Sequence, residues 1–158
     1  MNSLVVYDSK FGNTRKVAQI IADGLAFQGG ARASDVEHAV TESLETIDLL
    51  VLGGPTQAHG VSPRMRGYLE VLVKTAPSRL LIGAFDTRLK GPGFLWGSAA
   101  KAVAAHISQA GLELIAQPMS FLVEGMSEPR LVNGEADRAK TWALDIGARA
   151  AARHPAAV

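Results

Sequence analysis

The stretch Leu4-Val5-Val6-Tyr7-Asp8-Ser9-Lys10-Phe11-Gly12-Asn13-Thr14-Arg15-Lys16-Val17-Ala18 constrains the fold more than any other part of the chain. Leu4 to Tyr7 is a short apolar run, as expected for a strand covered on both faces. A loop of hydroxyl, amide and glycine residues follows. A helical pattern begins at about Thr14, with Val17, Ile20, Ile21 and Leu25 on one stripe. A strand that enters a helix through such a loop makes an anion cradle. Ser9 and Thr14 supply hydroxyl donors and Asn13 an amide donor. Gly12 lets the backbone approach closely. The helix N-terminus adds partial positive charge. The plainer reading is a strand-to-helix turn with a capping threonine or asparagine.

The cradle has neither the glycine spacing and Lys-Ser/Thr ending of a Walker loop nor a G-x-G-x-x-G fingerprint. A monophosphate fits it better than a di- or triphosphate. Lys10, Arg15 and Lys16 are either helpers or solvated charges.

Beyond the first unit, apolar runs and helical patterns alternate. Leu49 to Leu52 reads as a second buried strand, broken by Gly53-Gly54-Pro55. Pro63 suits the first turn of a helix, to which Met65, Leu69, Leu72 and Val73 give an apolar face. Leu80 to Phe85 is a third clear strand, followed by a loop from Asp86 to Gly97. Ser98 caps a helix that Gly111 stops. Leu112 to Ile115 starts the last strand region, which Phe121 to Val123 continues after Pro118. A final helix starts at about Glu135. Ala31 to Val36 reads as an edge strand. The alternation predicts a three-layer, doubly wound α/β sandwich with a five-stranded parallel sheet of order 2-1-3-4-5. One domain over residues 1–152 is expected, with a frayed tail at 153–158. Ligands of such sheets sit at the carboxyl ends of the strands where the winding reverses. Here that places them between Ser9 to Thr14 and Gly54 to Gly60.

The first stretch, from Val5 to Thr14 with Ala18 and Ile21 beyond, resembles the flavodoxin signature at every constrained position. The resemblance implies that Ser9, Lys10, Phe11, Gly12, Asn13 and Thr14 bind the phosphate of FMN. It implies that Pro55, Thr56, Gln57, Ala58, His59 and Gly60 cover one face of the flavin ring, with Thr56 contacting it. His59, or else Gln57, takes the place of the inner stacking aromatic. The carbonyl there can flip to accept from reduced N5, which glycine at 60 makes cheap. The third loop, Phe85, Asp86, Thr87, Arg88 and onward to Trp96, would hold the pyrimidine edge, with Asp86 accepting and Thr87 donating. It lacks the family's outer stacking tyrosine. Phe94 or Trp96 replaces it, or Arg88 and Leu89 cover the ring; Trp96 reads equally well as an anchor for the next helix. Arg88 or Lys90 near N1 would stabilise a reduced, anionic flavin.

Composition narrows the function classes. The 158 residues contain no cysteine, which excludes disulfides, thiolate metal sites and a cysteine nucleophile. The four histidines show no metal-ligand spacing. No signal peptide or membrane span is read at the N-terminus, and a cytoplasmic protein is expected. The net charge of +1 shows no evident basic block, so nucleic acid is not indicated as a partner. A receiver domain would need an acidic pair after strand one and an aspartate after strand three. A hydrolase would need a G-x-S-x-G elbow. Neither is present. The resemblance implies an electron carrier serving redox partner proteins, a reductase and an acceptor. An FMN-dependent reductase or oxidase of a quinone or porphyrinogen is the alternative, and a flavin-free interaction domain the weaker one. Near-neutral charge is unlike the acidic carriers of this family. The short length, with little room for a substrate-binding insertion, favours the carrier.

Overall fold

A computed structural model describes residues 1–57, 60–92 and 97–154. Among these residues twelve elements follow one another: β1 (Asn2–Tyr7), α1 (Asn13–Leu25), β2 (Gly30–Asp35), α2 (Val36–Ala39), β3 (Leu49–Pro55), α3 (Pro63–Thr75), β4 (Leu81–Leu89), α4 (Ala99–Gln109), β5 (Glu113–Leu114), β6 (Met119–Glu124), β7 (Arg130–Leu131) and α5 (Glu135–Arg153), with a 3₁₀ turn at Ala26–Gln28.

The sheet runs β2-β1-β3-β4-β6-β7, with β5 also paired to β4. Pairing is parallel as far as β6, which gives the expected doubly wound order, with β5 and β6 together forming the fifth strand. Glu113 faces Leu81, whereas Met119 faces Phe85, so the register slips by two residues between the halves. Pro118, which has no N–H for a ladder, lies in that break. The antiparallel strand β7 is an addition that the sequence did not signal.

Side chains alternate between the two faces of the sheet. Leu4, Val6, Leu50, Leu52 and Ile82 pack beneath Met65, Leu69 and Leu72 of α3 and Val103 and Ile107 of α4. On the other face, Val5, Leu49, Val51 and Phe85 meet Val17, Ile21 and Leu25 of α1 and Trp142 and Ile146 of α5. Phe85, Phe121 and Trp142 form an edge-to-face triangle with centroids 6.1–6.5 Å apart. Ser98 caps α4, its hydroxyl accepting from the Lys101 N–H, and Pro63 opens α3. No described helix is long and apolar enough to cross a membrane.

Two expected loops are strand. Gly53, Gly54 and Pro55 continue β3, and Asp86, Thr87, Arg88 and Leu89 continue β4. The two extensions pair with each other, Gly54 with Asp86 and Pro55 with Thr87. Polar and glycine residues read as loop in sequence, but they satisfy a ladder when their neighbours do the same. Glycine at 53 also has a packing cause. A Cβ there would lie 1.9 Å from Cζ of Phe85. Arg153, counted with the tail from sequence, is helical and pairs with Glu113 at 3.0 Å. Residues 155–158 lie outside the described set.

Tyr68 is buried under α2, and its hydroxyl makes no hydrogen bond among the described residues. Burial, with the Glu42 carboxylate nearby, raises its pKa to about 12. Folding thus favours the neutral phenol, while the unfolded chain ionises near 10. The contribution of Tyr68 to stability is full below about pH 10 and falls by about 1.4 kcal/mol per pH unit up to about 12. Urea midpoints at pH 9 and 11 are expected to differ less in Tyr68→Phe than in the parent.

Candidate functional site

The carboxyl ends of β1, β3, β4 and β6 enclose a cleft of ≈ 390 Å³, within the usual range of roughly 300–1,000 Å³ for small-molecule sites. Its walls carry Lys10, Phe11, Asn13 and Thr14 from the first loop, Pro55, Thr56 and Gln57 from the second, and Thr87, Arg88 and Leu89 from the end of β4. A fourth wall comes from Val123, Gly125, Met126 and Pro129, around the β6–β7 hairpin.

The first loop is arranged as a donor nest. Gly12 is the N-cap residue of α1, at φ 89°, a left-handed conformation that suits glycine. No side chain caps α1 from that position. Ser9 does the capping instead, its hydroxyl oxygen accepting from the N–H groups of Gly12 (3.1 Å) and Arg15 (3.3 Å). With its lone pairs so engaged, the Ser9 hydroxyl keeps its proton to donate. The N–H groups of Asn13 and Thr14 belong to the first helical turn and make no hydrogen bond among the described residues. Ser9 and Gly12 border a neighbouring open concavity rather than the cleft itself.

Two long-range hydrogen bonds fix this loop. The hydroxyls of Thr14 and Thr87 meet at 2.8 Å, both buried. The Asn13 amide donates to the Pro129 carbonyl at 2.8 Å, tying the loop to the hairpin. Below it, Arg64 holds Asp8 (3.2 Å), Asp35 (2.9 Å) and Glu37 (3.1 Å). Asp8 is buried, and this guanidinium neutralises it.

Gln57 and Gly60 exchange backbone hydrogen bonds of 3.1 and 2.7 Å, closing the second loop tightly. Ala58 and His59 within it, and Phe94 and Trp96 of the third, lie outside the described residues.

Phe85 and Asp86 do not line the cleft. The Phe85 ring is fully buried in the core, because Gly53 leaves room for it. Asp86 is fully buried too, and its Oδ2 accepts from Ser98 Oγ (2.6 Å), Ala100 N–H (2.9 Å) and Thr56 Oγ1 (3.1 Å). Thr56 Oγ1 in turn accepts from the Ala99 N–H at 3.0 Å. Asp86 therefore positions Thr56 and the start of α4 from below. Arg88 is half-buried at the cleft, and its Nε and Nη1 are shut off from solvent with no hydrogen bond among the described residues. Those two atoms face the interior, so a guest in the cleft would meet only the exposed part of the guanidinium, whose charge suits an anionic or carbonyl-bearing group.

The model of the flavodoxin domain family matches residues 4–84. The chain belongs to the flavodoxin family. Members of this family bind flavin, typically FMN, and pass electrons to redox partners. A flavodoxin from Aquifex aeolicus (strain VF5) is 35% identical over 69 residues, which are 42% of this chain and 37% of that protein. The chain thus matches little more than a third of that relative's length. Two solved structures share the fold at low identity. Rubredoxin oxygen:oxidoreductase from Desulfovibrio gigas superposes with a TM-score of 0.79 at 19% identity, over 98% of this chain and 37% of that one. Oxidised flavodoxin 2 from Bacillus cereus does so with a TM-score of 0.79 at 17% identity, over 94% and 99%.

Two walls of this flavodoxin-family cleft, the end of β4 and the hairpin, lie beyond the matched segment. Sequence reasoning missed the hairpin wall. The available signal was topological, since the strand after Pro118 also ends at the carboxyl edge. It missed Arg64 as well, for which sequence offers no cue.

Proposed function

We propose that this chain binds FMN in the cleft and carries electrons between redox partner proteins. The observation that carries this reading is an uncharged donor nest beside one end of the cleft and the Arg88 guanidinium in the wall at the other. A flavin mononucleotide has a dianionic phosphate and a carbonyl-bearing pyrimidine, and it asks for those two ends. When bound, it supplies the electron chemistry; the protein sets its binding and potential.

In this reading Ser9, Gly12, Asn13 and Thr14, with Lys10 and Phe11 beside them, hold the phosphate. Thr14 transmits its position to β4 through Thr87. Pro55, Thr56 and Gln57 flank the ring, with Ala58, His59 and Gly60 completing that loop, while Thr87 and Arg88 face the pyrimidine. Leu89 and Met126 supply the apolar cover.

Purified protein is expected to show bound-flavin absorption and to be reduced in steps by dithionite. Arg88→Gln is expected to weaken FMN binding about tenfold or more, since a charge-assisted hydrogen bond contributes about 1.5–3 kcal/mol, and to lower the potential of the second electron. Unchanged affinity and unchanged potentials together would remove Arg88 from the site. Absence of any flavin uptake would overturn the reading, and direct reduction by a nicotinamide without a partner would favour the enzyme.

A further inference from the structure

Helices cover both faces of a doubly wound sheet, yet the crossover from β2 to β3 contributes only the single turn α2. The residues after it give the reason. The Thr41 hydroxyl donates to the His38 carbonyl at 2.9 Å, and the Ser43 hydroxyl accepts from the Glu45 N–H at 3.3 Å. Such local bonds compete with a further helical turn. Between this crossover and α3 lies a pocket of ≈ 230 Å³ that shares no wall residue with the cleft. Its apolar walls are Val40, Leu44, Val71, Leu72 and Pro77. Val40 and Val71 are 49% and 46% exposed, so the pocket opens to solvent between two apolar side chains. One water takes roughly 30 Å³, and drug-sized sites begin at roughly 300 Å³, so the volume suits a guest of a single ring.

The polar part of the wall is one-sided. Tyr68 lines the pocket, is only 6% exposed, and its hydroxyl makes no hydrogen bond among the described residues. A phenol both donates and accepts, and folded proteins seldom bury one unpaired. Glu42 lines the same pocket, and after burial its carboxylate is what holds that phenol neutral. The potential at the hydroxyl is therefore negative. Arg32 pairs with Glu42, and Arg79 with Asp48. Glu45, also in the wall, has no ion pair among the described residues, and no lysine, arginine or histidine lines the pocket. The hydroxyl is closed to solvent, and the crossover is the wall that can yield. From Thr41 to Ile47 its backbone bonds only to nearby backbone, Thr41 N–H to His38, Glu42 N–H to Ala39 and Ile47 N–H to Leu44.

We propose that this pocket binds a small organic amine, its apolar body against Val40, Val71 and Leu72 and its ammonium facing the Tyr68 hydroxyl and the acidic wall of Glu42 and Glu45. The guest displaces the crossover far enough to reach the hydroxyl, whose oxygen accepts from the ammonium. The same carboxylates repel an anion of equal shape. The site is separate from the cleft and its occupation needs no flavin.

The test is an NMR titration of the purified protein at neutral pH with three probes of one shape: cyclohexylamine, cyclohexanol and cyclohexanecarboxylate. Cyclohexylamine is expected to shift the amides of Val40, Leu44 and Val71 saturably and to bind more tightly than cyclohexanol, with the carboxylate weakest. Tyr68→Phe keeps the ring and removes the oxygen. It is expected to weaken the amine about tenfold or more, the loss of a hydrogen bond to a charged group. Glu45→Gln is expected to narrow the preference for the amine over the alcohol. Val71→Trp, at an exposed position, fills the pocket and is expected to abolish binding with Tyr68 untouched. Shifts that do not saturate, or that fall on cleft residues such as Thr56 and Thr87, overturn the proposal. So does a carboxylate that binds as well as the amine, and so does an amine affinity unchanged in Val71→Trp. An affinity unchanged in Tyr68→Phe overturns the part assigned to the hydroxyl. Flavin enters none of these readouts, so a failure here leaves the carrier reading standing, and a protein without flavin leaves this one.

Discussion

Gly53→Ala is expected to destabilise the protein by about 3 kcal/mol or more, at the upper end of what overpacking costs. The added carbon would meet the Phe85 ring at 1.9, 2.1 and 2.5 Å from three of its atoms. Those atoms cannot swing away, since Phe85 is wedged against Phe121 and Trp142. The backbone cannot yield cheaply either, because Gly53 pairs with both Tyr7 and Phe85 in the middle of the sheet. Denaturant unfolding measures the loss. The double variant Gly53→Ala/Phe85→Leu is expected to recover part of it, and a strictly additive cycle would show that the ring is not the obstacle.

Asp86→Ala should cost a similar amount, about 3–5 kcal/mol, by leaving buried donors without an acceptor. Hydrogen bonds to a charged group contribute about 1.5–3 kcal/mol each, and an orphaned buried donor costs about 1–3. Three donors converge on Oδ2, from Ser98, Ala100 and Thr56. Asp86→Asn keeps one acceptor oxygen and is expected to lose roughly half as much. Thermal unfolding ranks the three proteins. Because Thr56 is a cleft wall, flavin affinity should fall in the same order, measured at a temperature where all are folded. Loss of affinity in Asp86→Ala without loss of stability would mean that Asp86 meets the guest directly.

Both residues show where the sequence was legible. The winding order followed from apolar runs such as Leu49 to Leu52 and from stripes such as Val17, Ile21 and Leu25, since burial writes a period into the chain. The anchor loop was equally plain, because Gly12, Asn13 and Thr14 are local to one turn. Asp86 and Thr87 read as loop in the sequence and are strand in the fold. A polar pair gives no strand signal when its partners, Gly54 and Pro55, are just as unlike a strand. The capping role of Ser9, the reach of Asn13 to Pro129 and the Arg64 clamp depend on side-chain direction and on distant contacts.

The hydroxyl contact between Thr14 and Thr87 spans 73 positions, and the Asn13 to Pro129 bond spans 116. A chain emerging in order therefore owns its anchor loop long before it owns a cleft. Contacts of such separation form late, after loop closure has been achieved elsewhere. A guest that needs all the walls has nothing to grip in a half-assembled sheet, and so it cannot guide assembly. Its effect comes afterwards, by mass action on the completed state alone. Saturating cofactor should slow unfolding and leave the rate of folding almost untouched.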